Sequence, residues 1–342
     1  MPPPLDTLDT LDALEHLGQT LALETPTARK RMLVIVNPYA TTVSDRMKSL
    51  VVYALQGRYD VDAVDTQRPD HATDLCREAA QEGYDVVVAF GGDGTVNEAA
   101  NGLAGSDTAL TCLPGGATNV FARMLGIQAD IVDAAEQLLR VADRWEPRRV
   151  DLARVEHRAG DGPWSARHFT FSSGLGLDAA VVERVDAHPR LKAALRQWAF
   201  AATGLGVVAR QYSLRPPRID VAAGALHVRG VSAFVQNGDP YTYWSSRPLR
   251  VADGGTLEDG LLSGAVLRRA APLDVPTVIA RLLSRRLRVT RHRQVSGFSG
   301  VSDVRCVSAD GRAIPLQVDG DHIADVTEAI YGVAPGALSV IA

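Results

Sequence analysis

The residues best suited to chemistry lie in GGDGTVNEAANGL, residues 91–103, directly after the apolar run DVVVAF. Gly91, Gly92 and Gly94 allow the backbone to take positive φ values and to approach a ligand closely. A helix that begins here would direct its free N–H groups and its positive dipole end toward the turn. The pattern therefore predicts an anion site of the kind that binds phosphate.

Three polar side chains accompany these glycines. Thr95 and Glu98 have the T-x-x-E spacing of a capping box, in which each side chain satisfies an orphan N–H of the helix. Capping does not explain Asp93, because a carboxylate beside a phosphate repels it unless a cation or a hydrogen-bond network lies between them. We therefore expect Mg²⁺ and a nucleotide at this turn.

A second turn of the same kind occurs in LPGGATNVFARMLG, residues 113–126. Two glycines follow an apolar strand, Thr118 or Asn119 is expected to cap the next helix, and Gly126 to end it. Asn37 closes another apolar strand. Because open α/β sheets bind ligands beyond the carboxyl ends of their strands, we expect these turns to lie on one edge of a sheet.

The predicted secondary structure changes along the chain from alternating strands and helices to successive strands. From Arg31, short apolar strands alternate with helices, which predicts an α/β N-terminal domain with a doubly wound parallel sheet. From about Arg148, alternating strands predict a mainly antiparallel β-sandwich C-terminal domain, with helical insertions near 188–211 and 272–288. The expected boundaries are an acidic extension over 1–29, a nucleotide-binding domain over 30–147 with 326–342 packing back on it, and a β-rich second domain over 148–325.

Net charge, cysteine count and the length of apolar stretches limit which partners and which cellular compartment the sequence favours. The 342 residues carry 36 basic and 40 acidic side chains, a net charge of −4, so no global basic field indicates nucleic acid. Cys76, Cys112 and Cys306 are odd in number and lack C-x-x-C spacing, which argues against a disulfide framework or a zinc site and favours a reducing cytoplasm. The longest apolar stretch, QWAFAATGLGVVA, is well short of the ~20 residues that a membrane span needs.

These motifs, in this order, resemble the diacylglycerol kinase catalytic family, which includes sphingosine kinases and bacterial lipid kinases. VIVNP, GGDGTVNEAANGL and LPGGATNVFARMLGI resemble its nucleotide-binding elements, FSSGLGLDAAVVERV its acceptor-side motif, and LQVDGD its late Asp-Gly-Glu motif. GGDGT alone is shared with NAD kinases and, more distantly, phosphofructokinases, whose sheet the N-terminal domain is expected to share. VNEAANGL and PGGATNVFAR single out the lipid-kinase branch.

The resemblance implies a two-domain enzyme that transfers the γ-phosphoryl group of ATP, with Mg²⁺, to a lipid hydroxyl such as that of diacylglycerol. It implies metal contacts at Asp93 and Asp151, a substrate contact at Asp178, and catalytic roles for Asp93 and Asp321. Glu98 would order the loop behind the nucleotide. The residues expected to bind the nucleotide are Asn37, Thr41, Gly91, Gly92, Asp93, Gly94, Thr95, Glu98, Gly116 and Thr118.

Two positions depart from the family pattern. Asp321 stands where the family has the glutamate of Asp-Gly-Glu, and it is one methylene shorter. From the residues alone, QVDGDH reads as a simple hairpin turn, and only the resemblance makes Asp321 the base. After Asn37-Pro38 the family often has Lys or Ser with Gly, whereas this chain has YATTVS, so Thr41, Thr42 or Ser44 would take over phosphate contacts.

Other interpretations remain open at this stage. The acceptor could be a soluble molecule, NAD above all, or catalysis could have lapsed and left a nucleotide- or lipid-binding regulator. To reach a lipid, the protein would associate transiently with the inner face of the membrane through residues 191–212 or the arginine-rich 281–293. Both stretches could equally be core-packed helices with a solvated basic edge. Homodimer formation is an open alternative, and no contact with nucleic acid is expected.

Overall fold

The computed structural model describes residues 29–40, 44–142, 144–186, 212, 216–244, 247–284 and 286–342. They divide into two compact units. The first comprises the described residues up to Val150 together with Ala337–Ala342, and the second is Asp151–Gly336. The sequence pattern placed these boundaries after residues 147 and 325. Thr41, the 191–212 stretch except Tyr212, and the acidic extension except its last residue lie outside the described residues.

The first unit is built on a parallel sheet with the strand order β2-β1-β3-β4. All six residues of β3, VVVAFG, are buried, as expected for a strand covered by helices on both faces. Because the strands are parallel, β1, β3 and β4 end at the same edge. The strands are β1 Lys30–Val36, β2 Tyr59–Asp65, β3 Val86–Gly91 and β4 Ala109–Pro114.

Helices connect these strands, and two of the helices begin at a side-chain cap. The Ser44 hydroxyl accepts from Met47 N–H at the start of α1, and the Asp130 carboxylate accepts from Val132 N–H at the start of α5. The parallel, doubly wound prediction for this unit is confirmed. The helices are α1 Asp45–Leu55, α2 His71–Gln81, α3 Asp93–Leu103, α4 Val120–Met124 and α5 Ile131–Val141.

The described part of the second unit contains two large antiparallel sheets and one two-stranded antiparallel sheet. One has six strands in the order β14-β13-β10-β7-β16-β17, and the other is built around β18-β15-β8-β9, with β5 and β6 paired to each other. The strands are β5 Arg148–Arg158, β6 Ser165–Phe169, β7 Ser172–Gly176, β8 Ile219–Ala223, β9 Leu226–Gly230, β10 Ser232–Gln236, β11 Thr242–Trp244, β12 Arg247–Leu249, β13 Leu262–Leu267, β14 Val295–Val301, β15 Val304–Ser308, β16 Ile314–Val318, β17 Asp321–Val326 and β18 Glu328–Val340.

The core of this unit lies between the two sheets. Leu175 and Val235 from the six-stranded sheet share one buried cluster with Val221 and Cys306 from the other. This packing confirms the β-sandwich prediction. Among the residues that the structure describes in this unit, two helices, α6 Leu177–Asp186 and α7 Val275–Leu282, and the 3₁₀ turn Val289–Arg291 accompany the sheets. Among the described residues, none of the helices is long and apolar enough to span a bilayer.

Candidate functional site

The first Gly-rich turn joins β3 to α3. Gly91 ends β3, Gly92 is the N-cap, and α3 begins at Asp93 without a side-chain cap. A Cβ atom on Gly91 would lie 2.6 Å from Thr95 Oγ1, so the turn has room only for glycine there. The N–H groups of the first turn of α3 have no partner inside the helix, because an α-helix pairs N–H groups only with carbonyls four residues earlier.

The second turn follows β4 and touches the first. Gly115 N–H donates to Gly91 O at 2.9 Å. A Cβ atom on Gly116 would lie 2.7 Å from Gly92 Cα, a backbone atom that cannot move aside cheaply. The Asn119 side chain closes this turn, since its Oδ1 accepts from Gly116 N–H and its Nδ2 donates to Gly116 O. The two turns therefore form one continuous backbone surface at the carboxyl edge of the sheet.

Asp93 joins the two turns through its carboxylate. Its Oδ1 accepts from the N–H of Val120 at 2.7 Å, and its Oδ2 accepts from the Thr118 hydroxyl at 2.9 Å. The expectation that capping could not explain Asp93 is wrong, because Asp93 caps α4 across the gap between the turns. The expected caps Thr118 and Asn119 make no side-chain bond to their own helix: Thr118 binds Asp93, and Asn119 binds the preceding turn.

The capping box predicted for Thr95 and Glu98 is also absent. Thr95 already lies inside α3, and its hydroxyl accepts from Asn37 Nδ2 at 3.1 Å. Glu98 Oε2 accepts from Ala72 N–H at 3.1 Å, which is in the first turn of α2. Glu98 therefore caps a neighbouring helix and, with the 2.8 Å bond from the Thr73 hydroxyl to its carbonyl, fastens α2 to α3.

Asn37 connects the end of β1 to this surface. Its Nδ2 donates to Thr95, and its Oδ1 accepts from Tyr39 N–H at 2.9 Å. The structure thus brings together Asn37, Asp93, Thr95 and Thr118 with the glycines of both turns. Thr41, the remaining residue predicted for this site, falls outside the described part of the chain.

In the second unit, Asp178 belongs to a polar cluster that the sequence did not reveal. Asp178, in the first turn of α6, accepts from Tyr241 Oη at 2.5 Å and from Gln317 Nε2 at 2.7 Å, both through Oδ2. Gln317 Nε2 also lies 2.9 Å from Tyr241 Oη. Burial raises the pKa of the Asp178 carboxyl, and the two hydrogen bonds oppose that rise. No local motif marks Tyr241 or Gln317, because the fold brings them to Asp178 from 63 and 139 residues away in the sequence.

Asp321 lies beside a two-residue hairpin turn, as the residues alone suggested. Asp319 and Gly320 have φ values of 48° and 89°, and Asp321 is the exposed first residue of β17. Gly320 N–H donates to Gln317 Oε1 at 2.9 Å, so Gln317 links this turn to Asp178. The turn that carries Asp321 is therefore tied to the Asp178 cluster.

The first aspartate of the hairpin, Asp319, is a further residue that the sequence patterns did not single out. It is 3% exposed, and its carboxylate accepts four hydrogen bonds of 2.7 to 3.0 Å from Thr170 N–H and Oγ1, Phe171 N–H and Ser172 N–H. This many donors to one carboxylate clamp the hairpin to β7 and the residues before it. The Asp-Gly pair between two apolar runs was the sequence signal that could have drawn attention to Asp319.

Asp151 is buried in the second unit and binds backbone. Its Oδ1 accepts from Gly336 N–H at 2.7 Å and its Oδ2 from Gly260 N–H at 2.6 Å. Each carboxylate oxygen can accept a further bond, so these contacts leave capacity for a metal or water ligand. Within the described residues, no group of three or more His, Cys, Asp or Glu side chains is placed to hold a metal ion.

The three cysteines are free thiols, and all are buried. Burial raises the pKa of Cys306 to about 12 and also raises the pKa values of Cys76 and Cys112. Thiols held in the neutral form are poor nucleophiles. The polar groups suited to chemistry are therefore the glycine turns with Asp93 in the first unit and the Asp178 and Asp321 region in the second.

Comparison with known proteins identifies the family. The family model of the diacylglycerol kinase catalytic domain matches residues 31–155. A diacylglycerol kinase from Bacillus subtilis (strain 168) is 29% identical over 249 residues, which are 70% of this chain and 75% of that protein. A diacylglycerol kinase from Staphylococcus aureus (strain MRSA252) is 33% identical over 136 residues, 38% of this chain and 41% of that protein.

The fold has a close counterpart among solved structures. A structure from Bacillus anthracis str. Sterne has a TM-score of 0.70 at 23% identity, covering 93% of this chain and 97% of that one. At this identity the likeness shows the fold. The family model and the sequence relatives confirm the resemblance drawn from the motifs. Residues 31–155 therefore match the diacylglycerol kinase catalytic domain, and the chain is a lipid kinase.

Proposed function

We propose that this lipid kinase transfers the γ-phosphoryl group of ATP to the hydroxyl of a diacylglycerol-like lipid. The observation that carries this proposal is the contact between the two Gly-rich turns, held by Asp93 at the carboxyl edge of a parallel sheet. A phosphate chain needs such a surface, because glycines remove side-chain bulk and the first turn of α3 offers N–H donors.

The nucleotide is assigned to this surface in the first unit. Backbone N–H groups from Gly92 to Thr95 would bind phosphate oxygens, while Asn37 and Thr118 would orient the loops around them. Mg²⁺ requires only one or two carboxylates when phosphates and water supply its other ligands, so Asp93 fits as its protein ligand directly or through water. For Asp151, which lies in the second unit, the metal role stays a prediction. The bound ion would neutralise phosphate charge during transfer.

The acceptor is assigned to the second unit, where Asp321 is proposed as the base. The lipid hydroxyl transfers its proton to the Asp321 carboxylate as its oxygen attacks the γ-phosphorus. The bond from that phosphorus to the oxygen bridging to the β-phosphate breaks, and ADP leaves. Asp178 accepts hydrogen bonds here from Tyr241 and Gln317, and we propose that it orients polar groups of the lipid near Asp321.

Transfer of labelled γ-phosphate from ATP with Mg²⁺ to a panel of lipids and to NAD tests this function. Wild type should label a diacylglycerol-like lipid, and Asp93→Asn and Asp321→Asn should both abolish the label. A labelled NAD product would instead show a kinase for a soluble acceptor. ATP binding without label on any acceptor would show a lapsed enzyme that acts as a binding protein.

A further inference from the structure

Helix α7 and the residues around it expose large apolar side chains. The inner face of α7 packs on the unit, since Val275 is buried in one apolar cluster, while Val278 and Leu282 are partly buried against that cluster and a second one. Monomeric soluble surfaces seldom keep several large aliphatic side chains together in one short segment, so this grouping indicates an interaction surface. The outward side chains and their exposed fractions are Leu273 86%, Ile279 42%, Leu283 37% and Leu287 51%.

The same segment is strongly basic. Residues 268–293 contain eight arginines and a single acid, Asp274, in a chain whose net charge is −4. Asp274 is 4% exposed and is paired with Arg293 at 2.6 Å, so it presents little charge to solvent. In the part of this segment that the structure describes, arginines with exposed side chains lie on both sides of the leucines along the sequence. They are Arg268, Arg269, Arg286, Arg288, Arg291 and Arg293.

We propose that the described residues of 268–293, which leave out Arg285, form the surface by which this protein docks on an anionic phospholipid bilayer. Leucines of this exposure can enter the headgroup and acyl boundary while arginines contact lipid phosphates, the pattern of interfacial segments. Charge complementarity favours this occupant over a second copy of the chain. A symmetric dimer would place this basic patch against itself, and like charges would repel.

The docking surface adjoins the proposed acceptor site, so this inference rests on the proposed function. Leu282 of α7 packs in the cluster that contains Tyr241 and Phe234, whose rings are 5.7 Å apart in an edge-to-face contact. Tyr241 in turn binds Asp178. A bilayer bound to the outer face of α7 would thus lie next to the element that supports the acceptor carboxylates, and a lipid would travel a short path from membrane to site.

Vesicle sedimentation with the full chain tests the docking surface. The vesicles are phosphatidylcholine alone and phosphatidylcholine mixed with phosphatidylglycerol. The variants are Leu273→Ser with Leu287→Ser, and Arg286→Gln with Arg291→Gln, all at exposed positions where folding is not at risk. The matched control is Tyr53→Ser with Arg140→Gln, which removes an exposed apolar and an exposed basic side chain in the first unit. Phosphorylation of a short-chain, water-soluble diacylglycerol is measured in parallel.

Wild type and control should bind the anionic vesicles and not the neutral ones. Each leucine removed should weaken binding about tenfold and each arginine about fivefold, with further weakening at high salt. All four proteins should phosphorylate the short-chain substrate at equal rates.

Equal vesicle binding by wild type and both double variants would overturn the docking surface. Failure of wild type to bind vesicles, with phosphorylation of the short-chain substrate intact, would overturn docking and leave the proposed function standing. Vesicle binding without phosphorylation of any lipid would overturn the proposed function alone. Loss of a dimer in the double variants, measured by sedimentation velocity, would show that a second copy covers the surface and would also overturn the proposal.

Discussion

The carboxylate of Asp93 accepts a 2.7 Å hydrogen bond from the backbone N–H of Val120, the first residue of α4. This bond crosses from the turn after β3 to the turn after β4. Asp93 therefore has a structural task in addition to the electrostatic one proposed for it. Substitutions can separate the two tasks.

Asp93→Asn should keep the geometry and lose the charge. The new amide oxygen can accept from Val120 N–H, and the new amide nitrogen can donate to the Thr118 hydroxyl, so the free energy of unfolding should change by less than about 1 kcal/mol. Asp93→Ala loses both bonds and should destabilise the protein by about 2 kcal/mol. Both should lower phosphoryl transfer about a hundredfold or more. Urea unfolding measures the stability of both variants, and phosphoryl-transfer rates measure their activity. Wild-type activity in Asp93→Asn would show that Asp93 acts only as a helix cap.

Gly116→Ala should separate the two turns. The added Cβ would sit 2.7 Å from Gly92 Cα, and the forced backbone shift should cost about 1 to 3 kcal/mol of stability and weaken ATP binding. Gly332→Ala is the matched control, because its Cβ would meet no atom within 4 Å. Calorimetric titration with ATP measures the effect. An unchanged dissociation constant for Gly116→Ala would mean that the nucleotide does not use this contact.

Asp319→Asn should lower the stability of the protein, whereas Asp321→Asn should abolish phosphoryl transfer. Asp319 accepts four hydrogen bonds from donors, and an amide group would face those donors with its own N–H, so the unfolding free energy should fall by about 3 kcal/mol. Asn tolerates the positive φ at this position, so backbone strain does not confuse the result. Asp321→Asn, at an exposed position, should leave the melting temperature within a few degrees and abolish transfer. Retained activity in Asp321→Asn at saturating lipid would remove it as the base.

Asp178→Asn should stabilise the protein while impairing the reaction. Burial raises the pKa of Asp178, which means that the ionised carboxyl costs folding free energy near neutral pH. A neutral amide removes this cost, so unfolding free energy should rise by about 1 kcal/mol. The KM for lipid should rise if Asp178 orients the substrate. Thermal unfolding and lipid titration are the measurements, and a less stable variant with unchanged KM would contradict both expectations.

Glu328 forms an ion triad with Arg158 and Arg305, and we expect this triad to be sensitive to acid. Hydrogen bonds from Arg305 and then Arg158, at 2.6 Å each, hold the pKa of Glu328 below its usual value of 4.5. Its stabilisation should therefore be complete above pH 4.5 and disappear as the pH falls through the lowered pKa. Glu328→Gln should cost about 2 kcal/mol at pH 7. Unfolding of both proteins from pH 7 to 3 measures this, and a constant difference over that range would exclude ionisation of Glu328 as the cause.

Much of the fold follows from local pattern. The continuous apolar run of β3 and the alternation of strand with helix indicated a parallel sheet, because hydrophobic periodicity is a local property that burial on two faces imposes. Gly91, Gly92 and Gly116 were identified as turn glycines for a local reason too, since only glycine permits such close backbone approach. Asp319-Gly320 was recognisable as a hairpin turn from two residues.

Contacts between distant residues were decided by the tertiary structure. T-x-x-E spacing predicted that Glu98 would serve its own helix, but its carboxylate meets the start of α2, because packing of α3 on α2 offers it a nearer unpaired N–H. The donors to Asp93, Thr118 and Val120, likewise lie 25 and 27 residues away in the sequence. Gln317 and Tyr241 contact Asp178 through side-chain hydrogen bonds between residues far apart in the sequence. The sequence by itself determined the elements and the glycine turns; only the packing of those elements decided which polar groups became partners, since hydrogen bonds depend on position in space and not on spacing along the chain.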